Sequence, residues 1–241
     1  MSVTLVTALY DIDRGTKGDG RSFDEYLDWF AKTLKTKSPM VVFVDESLKE
    51  FVEKNRKGLP TKVITQSLEE IPYYELNNDI QKVLDDEDFK GKVSCPSRVE
   101  CKMSLYNVVI FSKFPWVKRV IEENPFDTEY FMWMDAGLSR FFGPHDVNIN
   151  MPYPSEAAQE VLLSCKDTVL IQATMNFYTD LVESEGIQAW HDIEIKDLID
   201  DHEFCFKLIF PCRPNFSSNQ LLFCNANGRT VNIYRFIIGM P

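Results

Sequence analysis

Hydrophobic positions in the first half of the chain fall into two alternating patterns. Residues 3 to 9 (Val-Thr-Leu-Val-Thr-Ala-Leu) and 40 to 44 form continuous apolar runs of strand length, as strands covered on both faces do. Between them Phe23, Tyr26, Leu27, Phe30, Ala31 and Leu34 recur at helical spacing behind Ser22, which is placed to cap a helix that Pro39 closes. A second helix is expected over 47–57, and Gly58 and Pro60 then lead into a third strand at 62–65. The order βαβαβ with right-handed crossovers predicts three parallel strands in one sheet with helices on its faces.

The polar stretch 77–92 reads as a helix and a surface loop, and 101–123 as the longest helical region, broken in two at Pro115. Asn124-Pro125 ends it, and an aromatic strand over 129–134 delivers Asp135 at its C-terminal end. In a doubly wound sheet ligands bind at that edge, where strand order reverses, and the segment Thr7 to Asp11 would face the same crevice. Beyond Gly143-Pro144 the pattern becomes mixed. Helices are expected at 155–164 and 187–199, and strands at 168–172, 204–210, 220–224 and 230–238. The fold class is thus α/β, a Rossmann-type, mostly parallel sheet with helices on both faces and a mixed C-terminal part. We read 1–241 as one domain with a nucleotide-binding half, 1–142, and an acceptor-side half, 143–241. The sequence stops at Ile-Ile-Gly-Met-Pro, in or just past a strand, which suggests a chain cut short at that end.

Composition narrows the function. A net charge of -11 argues against a general nucleic-acid surface, which needs clustered Lys and Arg. No window approaches the roughly 18 apolar residues of a membrane span, and the first residues lack the basic start of a signal peptide, so a cytoplasmic protein is expected. The six cysteines form no Cys-x-x-Cys pair and read as reduced thiols. The three histidines lack zinc-ligand spacing with them.

Candidate chemistry gathers in three clusters. Asp135 precedes Ala136 and Gly137, whose small size would let a ligand approach the backbone closely. It reads either as the cap of the next turn or as a carboxylate holding Mg or Mn against a diphosphate. Thr7, Tyr10, Asp11 and Arg14 lie at and after the end of the first strand; Tyr10 could stack on a base, Asp11 accept a hydroxyl and Arg14 meet a phosphate. Gly15, Gly18 and Gly20 match no phosphate loop and read as a mobile hinge. In the third cluster Tyr106, Val109, Ile110 and Lys113 share a helix face with Asn107 beside them, and Lys113 could neutralise phosphate or simply snorkel from a packed helix. Arg140 could grip a donor sugar or pair with an acid. His145-Asp146 and Asp201-His202-Glu203 offer further ligands or a base, and no nucleophile elbow is present.

Three segments together carry a resemblance: Val-Thr-Ala-Leu-Tyr-Asp-Ile-Asp-Arg near the start, Ser-Lys-Phe at 112–114, and Tyr-Phe-Met-Trp-Met-Asp-Ala-Gly-Leu-Ser-Arg-Phe at 130–141. The chain resembles the HtrL/YibB/WlaTC family of bacterial surface-polysaccharide gene clusters. The resemblance implies a GT-A-like glycosyltransferase in which Asp135 stands for the usual Asp-x-Asp motif, although Ala136 and Gly137 occupy the place of the second acid. The activity then expected is divalent-metal-assisted transfer of a hexose from a nucleoside-diphosphate sugar, UDP-linked first, to a hydroxyl on a glycan, protein or lipid-linked acceptor. Asp135 and Arg140 would act at the reaction centre, and Thr7, Tyr10, Asp11, Arg14, Asn107, Lys113, Trp133 and Gly137 would bind substrate. A sugar-nucleotide hydrolase and a non-catalytic nucleotide- or glycan-binding module remain the alternatives.

Overall fold

The computed structural model describes residues 2–92 and 96–141, together with the backbone of strands 169–173 and 221–225. The helices expected at 155–164 and 187–199 and the strands at 204–210 and 230–238 lie outside the described residues. Two compact units, Met1–Tyr153 and Pro154–Pro241, divide the chain.

In the first unit four strands form a parallel sheet in the order β3-β2-β1-β4, with β1 at Val3–Leu9, β2 at Met40–Val44, β3 at Thr61–Thr65 and β4 at Tyr130–Trp133. The class is α/β. Every residue of β1 and β2 is buried, which explains why both read as unbroken apolar runs: neither face of the central strands meets water. Val6, Ala8 and Tyr10 share one face with Val41 and Phe43, and pack there with Val108, Trp116 and Val120. Phe30 and Val52, fully buried outside that cluster, belong to helices α2 (Phe23–Thr33) and α3 (Lys49–Asn55), which Phe30 and Phe51 join by ring stacking at 6.3 Å. A four-residue helix, α1 (Arg14–Lys17), precedes α2. Ser22 caps α2 as expected, and Glu25 completes the capping box by accepting the Ser22 backbone N–H at 2.8 Å.

Helices α4 (Asn77–Asp85) and α5 (Glu87–Lys92) lead to α6 (Ser104–Glu123), one continuous helix of 20 residues. The break expected at Pro115 is absent. A stripe repeating every fourth residue, Ser104, Val108, Ser112, Trp116 and Val120, is buried on both sides of the proline. Burying Trp116 and Val120 contributes about 2–3 kcal/mol each, enough to outweigh the roughly 3 kcal/mol that an interior proline costs. Asn124 then ends α6 in the left-handed conformation (φ 33°), and its side chain brackets Thr128 to start β4.

The second unit contributes a parallel pair, β5 (Val169–Ala173) and β6 (Leu221–Asn225), aligned Val169 to Leu221. Both lie within one residue of the strands expected at 168–172 and 220–224.

Candidate functional site

Strand order reverses between β1 and β4, so the crevice at their carboxyl ends is the place where this architecture leaves backbone and side chains open to a ligand. Val6 aligns with Trp133, and the Met134 N–H donates to the Val6 carbonyl at 2.8 Å. Side chains alternate along a strand, so Trp133 and Asp135 share the face covered by α6. Trp133 stacks on Trp116 there, with centroids 5.9 Å apart and planes at 7°. Its indole Nε1 donates to Asp135 Oδ1 at 2.7 Å, and Lys113 Nζ of α6 donates to the same oxygen at 2.8 Å while lying 5.5 Å from the Trp133 ring. Oδ2 accepts no hydrogen bond from the described residues. The lysine is mostly covered, at 18% exposure, whereas the Asp135 side chain keeps 54% of its surface.

Crowding by protein atoms pushes the Asp135 carboxyl up, but the Lys113 ammonium, the Trp133 N–H and the Arg140 charge more than offset it, so the group sits below the usual carboxylate range. At neutral pH it is an anion with one oxygen held and one open. Arg140, on the turn Leu138–Phe141, stands 5.8 Å over the ring of Trp29.

The turn after Asp135 is fastened to α2. Thr33 Oγ1 donates to the Ala136 carbonyl at 3.0 Å, and Ser139 Oγ to that of Trp29 at 2.7 Å. Gly137 is small for a packing reason: a Cβ there would stand 3.1 Å from Tyr26 Cε1 and 3.4 Å from Trp29 Cε3. That packing reason stands beside the expectation that its size lets a ligand approach.

The segment after β1 differs most from its sequence reading. Tyr10 is in the core at 6% exposure, stacked on Trp116 at 5.8 Å, so it presents no open face to a base. Its hydroxyl lies near the Gln66 amide without good hydrogen-bond geometry, and burial pushes the phenol up. Thr7 is fully buried with no partner for Oγ1 among the described residues, on the face opposite Asp135. Asp11 is exposed and accepts the Asp13 N–H at 3.0 Å, which forms the turn that leads into α1.

Arg14 is not a waiting phosphate hook. Its guanidinium grips Asp19 through two bonds of 2.8 Å, donates to the Tyr26 hydroxyl at 2.5 Å and lies 4.8 Å over Tyr106. Burial pushes the guanidinium down, and the bond to Asp19 with the neighbouring phenols more than offsets it, so the group sits above its ordinary range and stays cationic. The same pairing holds the Asp19 carboxyl down to about 2. The glycine segment read as a hinge is thus stapled, with Gly18 against Met103 at the start of α6. Asn107 is structural too: its amide nitrogen donates to the carbonyls of Glu100, at 2.7 Å, and Met103, at 3.2 Å.

The structure therefore brings Asp135, Trp133 and Lys113 together, with Arg140 within electrostatic range, and sets Thr7 and Tyr10 apart from them in the core. Tyr106, read before only as part of an apolar helix face, lies within reach of the charges of Arg14, Lys113 and Asp135, and burial pushes its phenol up. Tyr26 and Trp29 were missed as site neighbours. Their i, i+3 spacing on an amphipathic helix marks them only as residues of one helix face. His145, Asp146, Asp201, His202 and Glu203 lie outside the described residues.

A bound Mg or Mn needs several oxygen ligands. Among the described residues no group of three acids, histidines or cysteines gathers to hold one, and Asp135 already accepts from an ammonium on Oδ1.

Fold and site together define an α/β protein whose parallel sheet presents a clamped carboxylate and flanking cations at its carboxyl edge. A family model described as "Bacterial protein of unknown function (HtrL_YibB)" matches residues 1–174, and the chain belongs to that family. Protein HtrL of Escherichia coli (strain K12) is 30% identical over 147 residues, covering 56% of this chain and 51% of the relative. The chain thus spans about half the length of the curated relative it matches. No solved structure matches it. Among the described residues no helix is long and apolar enough to cross a membrane.

Proposed function

We propose that the chain is a GT-A-like glycosyltransferase that takes a nucleoside-diphosphate sugar, UDP-linked first, and passes the hexose to a hydroxyl acceptor. The observation that carries this reading is Asp135 at the strand-order switch, with Oδ1 clamped by Lys113 and Trp133 and Oδ2 open. A fixed carboxylate of this kind accepts sugar or ribose hydroxyls, and the adjoining Lys113 and Arg140 attract a diphosphate to a chain of net charge -11. Departure of a nucleoside diphosphate requires stabilisation of the charge that develops on its phosphate oxygens, and preorganised cations supply it. In this reading Asp135 orients the donor, Lys113 and Arg140 meet the leaving group, and Trp133 keeps the carboxylate in place. Any Mg or Mn would travel with the diphosphate.

The test is release of UDP from UDP-hexoses, measured with and without a panel of alkyl glycoside acceptors. Acceptor-stimulated release, reduced about 100-fold or more in Asp135→Asn, is the expected result. Release independent of acceptor would indicate a hydrolase, and absence of both release and nucleotide binding would remove the enzyme reading.

A further inference from the structure

Between α1 and α2 one carboxylate is gripped by two arginines. We propose that Arg14 and Arg21 form an oxyanion site whose resident occupant is Asp19 of the same chain, and that an incoming phosphate group takes the site by displacing Asp19. Such a site requires recognition of phosphate only and does not depend on sugar transfer.

The grip has the form used for an external anion. Arg14 donates from Nε to Asp19 Oδ1 and from Nη2 to Oδ2, both at 2.8 Å, and Arg21 Nε stands 3.3 Å from Oδ2. The Arg21 backbone N–H adds a further donor. Two parallel bonds from one fork, joined by a second guanidinium, suit the oxygens of a phosphate as well as those of a carboxylate.

Arg14 is fixed by contacts other than Asp19. Its side chain is 11% exposed, its Nη1 donates to the Tyr26 hydroxyl at 2.5 Å, and its guanidinium lies 4.8 Å from the centre of the Tyr106 ring and 5.6 Å from that of Tyr26. Those rings belong to α2 and α6, helices anchored in the core through Phe30 and Val108. Departure of Asp19 would leave the fork aimed where it is now.

Asp19, in contrast, is free to leave. Its side chain keeps 27% of its surface, and among the described residues no backbone–backbone hydrogen bond engages residues 19–21. Gly20 beside it has φ 82°, a conformation that favours glycine, and a Cβ there would meet nothing within 4 Å. Gly18 is wedged against Met103 Sδ and the Arg14 carbonyl, so the movement would begin just past that point and carry Asp19 outward.

The strength of the internal contact sets the size of the effect. A carboxyl held down from 3.8 to about 2, chiefly by the bond from Arg14, marks a preference for an anion of about 60-fold, which solvent screening at Asp19 reduces to about tenfold. An external phosphate must overcome that competition.

The experiment is calorimetric titration of sodium pyrophosphate into the full chain at constant ionic strength. Wild-type protein should bind weakly, and Asp19→Asn about tenfold more tightly, because a neutral amide competes less well for the two guanidiniums. Arg21→Gln, a change at a side chain 40% exposed, should bind about threefold or more weakly than wild type. An Asp19 that serves only as a staple would give no gain on neutralisation.

Asp19→Asn binding no tighter than wild type would overturn the proposal, as would absence of binding by both proteins. Unchanged affinity in Arg21→Gln would place the anion elsewhere and overturn it too. Should Asp19→Asn fail to fold, Asp19→Ser serves in its place, and the comparison of wild type with Arg21→Gln decides independently of either. Acceptor-stimulated release of UDP without pyrophosphate binding of this kind would leave the glycosyltransferase reading intact and remove this one.

Discussion

Arg56 offers the sharpest test of how this sheet is held together. It follows α3, is 2% exposed, and has no carboxylate partner among the described residues. Its guanidinium donates from Nε to Thr61 Oγ1, from Nη1 to the carbonyls of Leu34 and Thr36, and from Nη2 to those of Ser38 and Pro60. One side chain thus ties the end of α2 and the approach to β2 to the turn that feeds β3. Two large effects oppose each other when it is replaced by Met. Burial pushes the guanidinium down to about 10, still charged at neutral pH, and relief of that charge burial returns about 3 kcal/mol. Against it stand five bonds from a charged donor, each contributing about 1.5 kcal/mol net. The bonds to Leu34 and Ser38 lie in fully buried surroundings, where the orphaned carbonyls would find no water. The loss should exceed the gain, and Arg56→Met should destabilise the chain by about 4–5 kcal/mol. Urea unfolding followed by tryptophan fluorescence reads this as a shift of midpoint. A variant within about 0.5 kcal/mol of wild type, or more stable, would show that charge burial outweighs the carbonyl network and refute the reasoning.

Two further outcomes are expected. Gly137→Ala should lower stability by about 1–2 kcal/mol, because the new Cβ must push Tyr26 aside from 3.1 Å; thermal unfolding checks it, and a variant of unchanged stability that binds UDP poorly would return Gly137 to the ligand. Asp19 should make stability depend on acid. Its carboxyl is held down to about 2 by Arg14, below the value in the unfolded chain, so the folded state binds that proton more weakly. The contribution, about 1 kcal/mol after solvent screening, is therefore present above about pH 4 and lost as pH falls toward 2. Asp19→Asn should remove this part of the difference between urea midpoints at neutral and acid pH, and an unchanged difference would contradict the assignment.

Much of the fold was legible because it rests on local pattern. β1 and β2 declared themselves by continuous burial, and α2 by its period and by Ser22. Pro115 misled because the energy that carries α6 through it comes from Trp116 packing on Tyr10, Phe43 and Trp133, residues distant in sequence. The glycine segment misled for a related reason. Arg14 and Asp19 are five residues apart in no regular period, and only the fold brings Tyr106 beneath them. Tyr10 could have been placed by parity: it shares a strand face with Val6 and Ala8, and that face is covered by the longest helix. The sequence did not show which face that helix would take.

Asp135 marks the point where the chain leaves one face of the sheet for the other. Its side chain belongs with Trp133 and Lys113 on the α6 face, while the residues soon after it, Ala136, Gly137 and Ser139, are fastened to Thr33, Tyr26 and Trp29 of α2. The backbone at this position is therefore gripped from both layers, and the carboxylate has little freedom to move toward a ligand. A group held in that way cannot gather a complex by induced fit; it can only be complementary to what arrives. The small residues that stand where a second acid would be expected are explained by the same constraint, since a larger side chain at 137 would collide with Tyr26 before it could reach the crevice. Packing against α2 thus accounts for the small residue at 137, and α6 sets an ammonium against the carboxylate two residues before it.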